Sequence, residues 1–82
     1  SAISAQSIQS LRSIVAAKAE QDVPPELTPL QVADMVLMTT SMPIEKRYQL
    51  FAEPEPVLRV ERILQAWREA DQADSGNLPP EP

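Results

Sequence analysis

The stretch at residues 28–40, TPLQVADMVLMTT, decides the fold that we expect for this chain. Its middle part, VADMVLM, is apolar at every position except Asp34, and a helix that is apolar on nearly all sides must be covered by neighbouring elements. Thr28 is a good N-cap residue, and Pro29 then occupies the first helical position, where its missing N–H costs nothing. The stretch therefore predicts a central helix that other helices bury from either side.

Three further helices are predicted around the central one, at residues 2–21, 43–53 and 56–70, with proline-rich connectors between them. The chain contains one glycine, and no segment alternates between apolar and polar residues with period two, so no strand is predicted. We expect an all-α fold: a small antiparallel bundle of about four helices at residues 1–70. Residues 71–82 are rich in proline and acidic residues and are predicted to be a disordered tail.

The third helix carries an apolar stripe at Ile44, Tyr48 and Phe51. We expect this stripe to pack inward, with Lys46 and Arg47 on the opposite side of the helix. An aromatic ring at this spacing is typical of a core residue, although Tyr48 could also stack on a ligand.

The last helix has a wider stripe, formed by Val57, Val60, Ile63, Leu64 and Trp67. We expect this stripe to face the core and the charged residues, Arg59 among them, to cover the outside. Trp67, the single tryptophan, is either a core residue or an exposed anchor for a partner.

The composition disfavours several classes of function. The net charge of −5 and the isoelectric point near 4.5 weigh against binding to nucleic acid or to anionic membranes. No apolar run approaches the roughly 20 residues that span a bilayer, and no signal peptide is visible at the first residue. With no cysteine in addition, an intracellular location is favoured.

The residues needed for common catalytic sites are missing. The chain has no histidine and no cysteine, and its one glycine lies at position 76, outside any phosphate-binding loop. We therefore predict no catalytic, cofactor-binding or metal-binding residue and no cofactor. Asp34 is expected to reach the open side of its helix or to meet a cation from another helix. The alternative is a carboxylate that serves a composite active site.

Residues 32–64, VADMVLMTTSMPIEKRYQLFAEPEPVLRVERIL, resemble the α-helical part of the LON domain, the substrate-recognition domain at the N-terminus of Lon-type ATP-dependent proteases. In that family an apolar helix ends in a short Leu-Pro-like turn, which Met42 and Ile44 match. Arg47 falls where the family usually has lysine, and Leu50 and Phe51 fall on its paired leucines.

The resemblance continues through the corner that follows. Glu55 falls on the family's acidic corner, and residues 59–60 (Arg-Val) fall on its Arg-Leu pair. Two departures stand out: Tyr48 replaces the usual glutamine, and Pro54 and Pro56 stiffen the corner. The resemblance also implies a β-rich half before the first residue, and ATPase or peptidase domains after the last.

The resemblance implies a non-catalytic module that recognises apolar segments of unfolded proteins and contacts neighbouring subunits. Methionines at positions 35, 38 and 42 suit such a surface because their side chains adapt to varied partners, although we expect them to fill the core. The candidate protein-binding residues are Met35, Met38, Met42, Arg47, Tyr48, Phe51 and Trp67. The alternative is a helical docking, adaptor or oligomerisation module that has no link to proteolysis.

Overall fold

A computed structural model, which describes residues 2–76 and their side chains as far as residue 72, confirms the all-α fold. Four α-helices follow one another, α1 (Ala5–Ala19), α2 (Pro29–Thr39), α3 (Ile44–Phe51) and α4 (Pro56–Gly76). No strand occurs within these residues. Connectors that contain Pro24, Pro25, Pro43 and Pro54 separate the helices, as the sequence predicts.

The first helix is shorter than predicted at both ends. Ser4 is its N-cap residue and accepts a hydrogen bond from the backbone N–H of Ser7 at 3.1 Å. The helix ends at Glu20, whose backbone is left-handed with φ at 57°. Glycine is the usual residue in this conformation, because a Cβ atom there costs about 1 kcal/mol. Glu20 therefore stops the helix at a conformational cost.

Arg12 holds the connector between α1 and α2. Its guanidinium donates to the carbonyl oxygens of Val23 and Pro24 through Nη1, and to those of Pro25 and Leu27 through Nη2, at 3.0–3.4 Å. A connector with two successive prolines has few N–H groups of its own to satisfy these carbonyls. One side chain of α1 therefore shapes the loop that delivers the chain to α2.

The second helix begins as predicted. The Thr28 hydroxyl accepts from the N–H of Gln31 at 3.2 Å, and the Gln31 side chain accepts from the N–H of Thr28 at 2.8 Å. This reciprocal pair is a capping box, with Pro29 in the first helical position. At the other end the buried Thr40 hydroxyl donates to the carbonyl of Val36 at 2.6 Å.

The hydrophobic core forms between α1, α2 and α4, so α2 is central as expected. Four residues of α2 are buried, whereas α3 packs mainly on α4 and contributes a single buried residue, Leu50. The prediction that the apolar stripe of α3 packs inward is therefore wrong. The core consists of Leu11, Ile14, Val15, Val32, Ala33, Val36, Leu37, Leu50, Val60, Ile63, Leu64 and Ala66.

The last helix runs past Ala70, the predicted boundary between bundle and tail, and continues to Gly76. Residues 71–76 contain no proline, and Ala73 favours helix, so nothing in this segment stops the helix before Ser75 and Gly76. The rest of the predicted tail, residues 77–82, lies outside the described residues. In the described part of the chain, none of the helices has the length and hydrophobicity that crossing a membrane requires.

Candidate protein-binding surface

The outward side of α2 carries two exposed methionines. Val32, Val36 and the other buried residues of this helix occupy the side that faces α1 and α4. Met35 and Met38 are one turn apart and lie on the side left open, where both are exposed. The expectation that they fill the core is wrong, because the two neighbouring helices cover only part of the α2 surface.

The third helix is turned about its own axis relative to the predicted orientation. Ile44, Tyr48 and Phe51 share one face, and that face is exposed to solvent. Lys46 and Arg47 lie one turn before the buried Leu50, so they flank the inward side of the helix. The stripe predicted to face inward is therefore exposed, and the inward side of α3 is formed around Leu50.

Each of these two cations has a partner elsewhere in the bundle. Arg47 donates through Nη2 to the carbonyl oxygen of Thr40 at 2.9 Å, which joins α3 to the end of α2. Lys46 Nζ lies 3.1 Å from Oε1 of Glu69 on α4. Long side chains can pack their stems against apolar residues while their charged ends reach a partner, and this allows cations on the inward side.

Arg59 joins the exposed sides of α2 and α3. Its guanidinium carbon lies 5.5 Å from the centre of the Phe51 ring, a distance typical of a cation–π contact. The same guanidinium forms a salt bridge through Nη2 to a carboxylate oxygen of Asp34. The prediction that Arg59 covers the outside is wrong, since its side chain is only 18% exposed. Asp34 meets a cation from another helix, as expected.

These contacts link Asp34 on α2 and Phe51 on α3 to Arg59 on α4, and exposed apolar residues lie on all three helices. Leu58, which precedes Arg59 at the beginning of α4, is also exposed. The six residues are between 37% (Phe51) and 65% (Tyr48) exposed. We call this surface the apolar face; it consists of Met35, Met38, Ile44, Tyr48, Phe51 and Leu58.

The remaining three candidate binding residues lie elsewhere. Met42 and Trp67 are partly buried and pack against the hydrophobic core, which agrees with the core interpretation of both. The uncovered part of Trp67 lines an open groove of about 350 Å³ between α1 and α4. Arg47 is held by the carbonyl of Thr40, so its role in the structure is to fasten α3 to α2.

Salt bridges secure the corner between α3 and α4. Arg62 Nη1 lies 2.7 Å from Oε1 of Glu53, whose side chain is only 12% exposed. On the next part of α4, hydrogen bonds from Gln65 and Lys46, together with the positive charge of Lys46, lower the pKa of the Glu69 carboxyl. These contacts keep α3 in place on α4 although it buries only one large side chain.

The candidate carboxylate and the other acidic residues can be placed in the structure. Asp34, the candidate carboxylate, is engaged by Arg59. Among the described residues, no three aspartates or glutamates converge in a way that could hold a metal ion. What the arrangement can do chemically is bury apolar surface against another molecule and place charged groups at the edge of that contact.

No protein-family model, curated protein sequence or solved structure matches this chain.

Sequence reasoning found four of the six residues of the apolar face. It missed Leu58, which the apolar stripe of α4 left out, and it assigned Ile44 to the core. A usable signal was present: Leu58 lies outside the spacing that joins Val57, Val60 and Ile63, so a large apolar residue there is exposed on a simple helix.

Proposed function

We propose that this chain is a non-catalytic protein-recognition module that binds an apolar segment of another polypeptide on the apolar face. The observation that carries this proposal is the exposure of six large apolar side chains on three helices, which Arg59 joins through Asp34 on α2 and Phe51 on α3. Exposed apolar surface of this extent on a small protein is typical of an interaction site.

The composition of the face suits a partner of variable sequence. Met35 and Met38 have flexible side chains that adapt to different shapes, and Tyr48 and Phe51 supply large rings. Aromatic residues and methionine are enriched at protein interfaces relative to the rest of the surface. These properties are compatible with recognition of unfolded polypeptide, the function that the resemblance to the LON domain implies.

The experiment is a fluorescence-anisotropy titration with a labelled protein that is kept unfolded by reduction and alkylation. The M38S/Y48S double variant removes two exposed apolar side chains, each of which contributes about 1 kcal/mol when it is half buried by a partner. We expect binding to weaken about 30-fold. The matched control is Gln49→Ser, an exposed polar position on α3 beside Tyr48, which should bind as the unmodified chain does.

Two results would refute the proposal. The first is an anisotropy that does not change with the unmodified chain up to high concentration. The second is equal weakening by Gln49→Ser and by the double variant, because the effect would then follow helix propensity in α3 rather than the apolar face. Sedimentation velocity on the same samples addresses the alternative: a dimer that M38S/Y48S dissociates would identify the face as an oligomerisation surface.

A further inference from the structure

The positive charges close to the apolar face are already engaged within the bundle. Arg59 is paired with Asp34, and Arg62 with Glu53 at 2.7 Å. Arg47 donates to a backbone carbonyl at 2.9 Å. Lys46, the fourth of these cations, is held by Glu69 at the inward side of α3. A partner on the apolar face therefore meets few free cations.

Two carboxylates at the border of the face take no part in the pairs just described. Glu45 is exposed in the first turn of α3, next to Ile44 and one turn before Tyr48. Glu55 is exposed just before α4, three residues before Leu58. Within the described residues, neither carboxylate takes part in a salt bridge.

Hydrogen bonds fix the backbone of Glu55 on both sides. Its N–H donates to Oε2 of Glu53 at 3.2 Å, and its carbonyl accepts from the N–H of Arg59 at 2.8 Å. Glu45 precedes Tyr48 and Phe51 of the face, and Glu55 follows them. Because the eight residues of α3 span about 12 Å, the two carboxylates lie toward opposite ends of its apolar stripe.

The charge of the whole chain argues against a second copy as the occupant. Each copy carries a formal charge of −5, so two copies repel one another, whereas a cationic partner is attracted and associates faster. The two carboxylates at the border of the face and the net negative charge of the chain therefore both favour a cationic partner.

Building on the proposed function, we infer that the partner is an apolar protein segment flanked by basic residues. Its apolar side chains cover Ile44, Tyr48 and Phe51, and its Lys or Arg residues lie against Glu45 and Glu55. A helical segment with apolar residues at positions i, i+4 and i+7 matches the spacing of the α3 stripe. The basic residues then decide which apolar segments bind best.

The test uses three synthetic peptides that share this apolar pattern and differ only in their flanking residues, which are Lys, Gln or Glu. Binding to the unmodified chain is measured by anisotropy at low salt. Two exposed ion pairs predict about fivefold tighter binding of the Lys peptide than of the Gln peptide. The Glu peptide should bind more weakly than either. Raising the salt concentration should remove the difference.

The matched variants separate local from overall charge. E45Q/E55Q and the control E20Q/E26Q change the net charge equally, but only the first alters the border of the face. E45Q/E55Q should abolish the preference for the Lys peptide and leave binding of the Gln peptide unchanged, and E20Q/E26Q should keep the preference.

The outcomes distinguish the two proposals. If all three peptides bind the unmodified chain equally well, the inference about basic residues is overturned and the apolar recognition stands. If E20Q/E26Q removes the preference for the Lys peptide as fully as E45Q/E55Q does, the preference follows the overall charge of the chain. The proposed contacts of Glu45 and Glu55 with basic residues are then refuted. If no peptide binds under any condition, the proposed function itself fails.

Discussion

Replacing Arg12 by methionine should destabilise the bundle more than any other substitution of a single charged residue in it. The guanidinium donates to four carbonyls of the connector, but the bonds to Pro24 and Pro25 are exposed and contribute little. The bonds to the carbonyls of Val23 and Leu27 are partly buried, at 3.3 and 3.0 Å. At about 1.5 kcal/mol for each bond from a charged donor, their loss amounts to about 3 kcal/mol.

This amount is large for so small a chain. A domain of this size has a total free energy of unfolding of about 4–12 kcal/mol. Methionine keeps the apolar stem of Arg12 and removes only the donors, so the change isolates the hydrogen bonds. Arg12→Lys keeps the charge, but its single ammonium group cannot reach all of the carbonyls at once, and we expect about half of the loss.

Urea unfolding followed by circular dichroism at 222 nm measures the effect. With a slope of about 1–1.5 kcal/mol per molar urea, Arg12→Met should lower the midpoint by about 2–3 M. The control is Arg68→Met, an exposed arginine of α4, which should change stability by less than about 0.5 kcal/mol. If both variants shift the midpoint equally, the connector does not depend on Arg12 and the reasoning is refuted.

Three further predictions concern other contacts. Asp34→Ala leaves the mostly buried Arg59 unpaired and should lower the free energy of unfolding by about 2 kcal/mol. The double variant D34L/R59M replaces both charges by apolar side chains and should recover most of this loss. Equal losses for the two variants in urea unfolding would contradict the prediction. Glu20→Gly relieves the left-handed backbone and should raise the free energy of unfolding by about 0.5–1 kcal/mol. Amide exchange should show no added fraying at the end of α1. Gln65→Ala should raise the pKa of Glu69 toward its ordinary value in an NMR titration. Because the pKa of Glu69 is lowered in the folded state, this carboxylate stabilises the fold above its unfolded-state pKa. The stabilisation disappears as the pH falls through the folded-state pKa. An unchanged titration of Glu69 in the variant would refute the role of Gln65.

The sequence predicted α2 well because its signals are local. Thr28 and Pro29 mark its beginning through groups within a few residues, and its apolar content required neighbours on more than one side. The pairing of Asp34 with a cation was one of two arrangements expected from the cost of leaving a carboxylate among apolar residues, the other being exposure on the open side of α2. The partner itself, Arg59, lies 25 residues away, and no local pattern identifies it.

The orientation of α3 shows where the pattern fails. A short helix with an apolar stripe on one side and two cations on the other normally turns the stripe inward. Here Arg47 and Lys46 find partners at Thr40 and Glu69, and the inward side keeps only Leu50 as a buried residue. The sequence contained the residues of the apolar face, but its pattern placed several of them in the core.

By itself the sequence determined the all-α class, the position of the proline-marked connectors and the central place of α2, because helix propensity, capping and apolar spacing act over a few residues. Only the tertiary structure decided which side of α3 faces water, and that Arg12 holds a connector. It also decided that Arg59 joins Phe51 to Asp34. These depend on atoms that are distant in the chain and become neighbours only when the core of α1, α2 and α4 has formed, and the apolar face exists for the same reason.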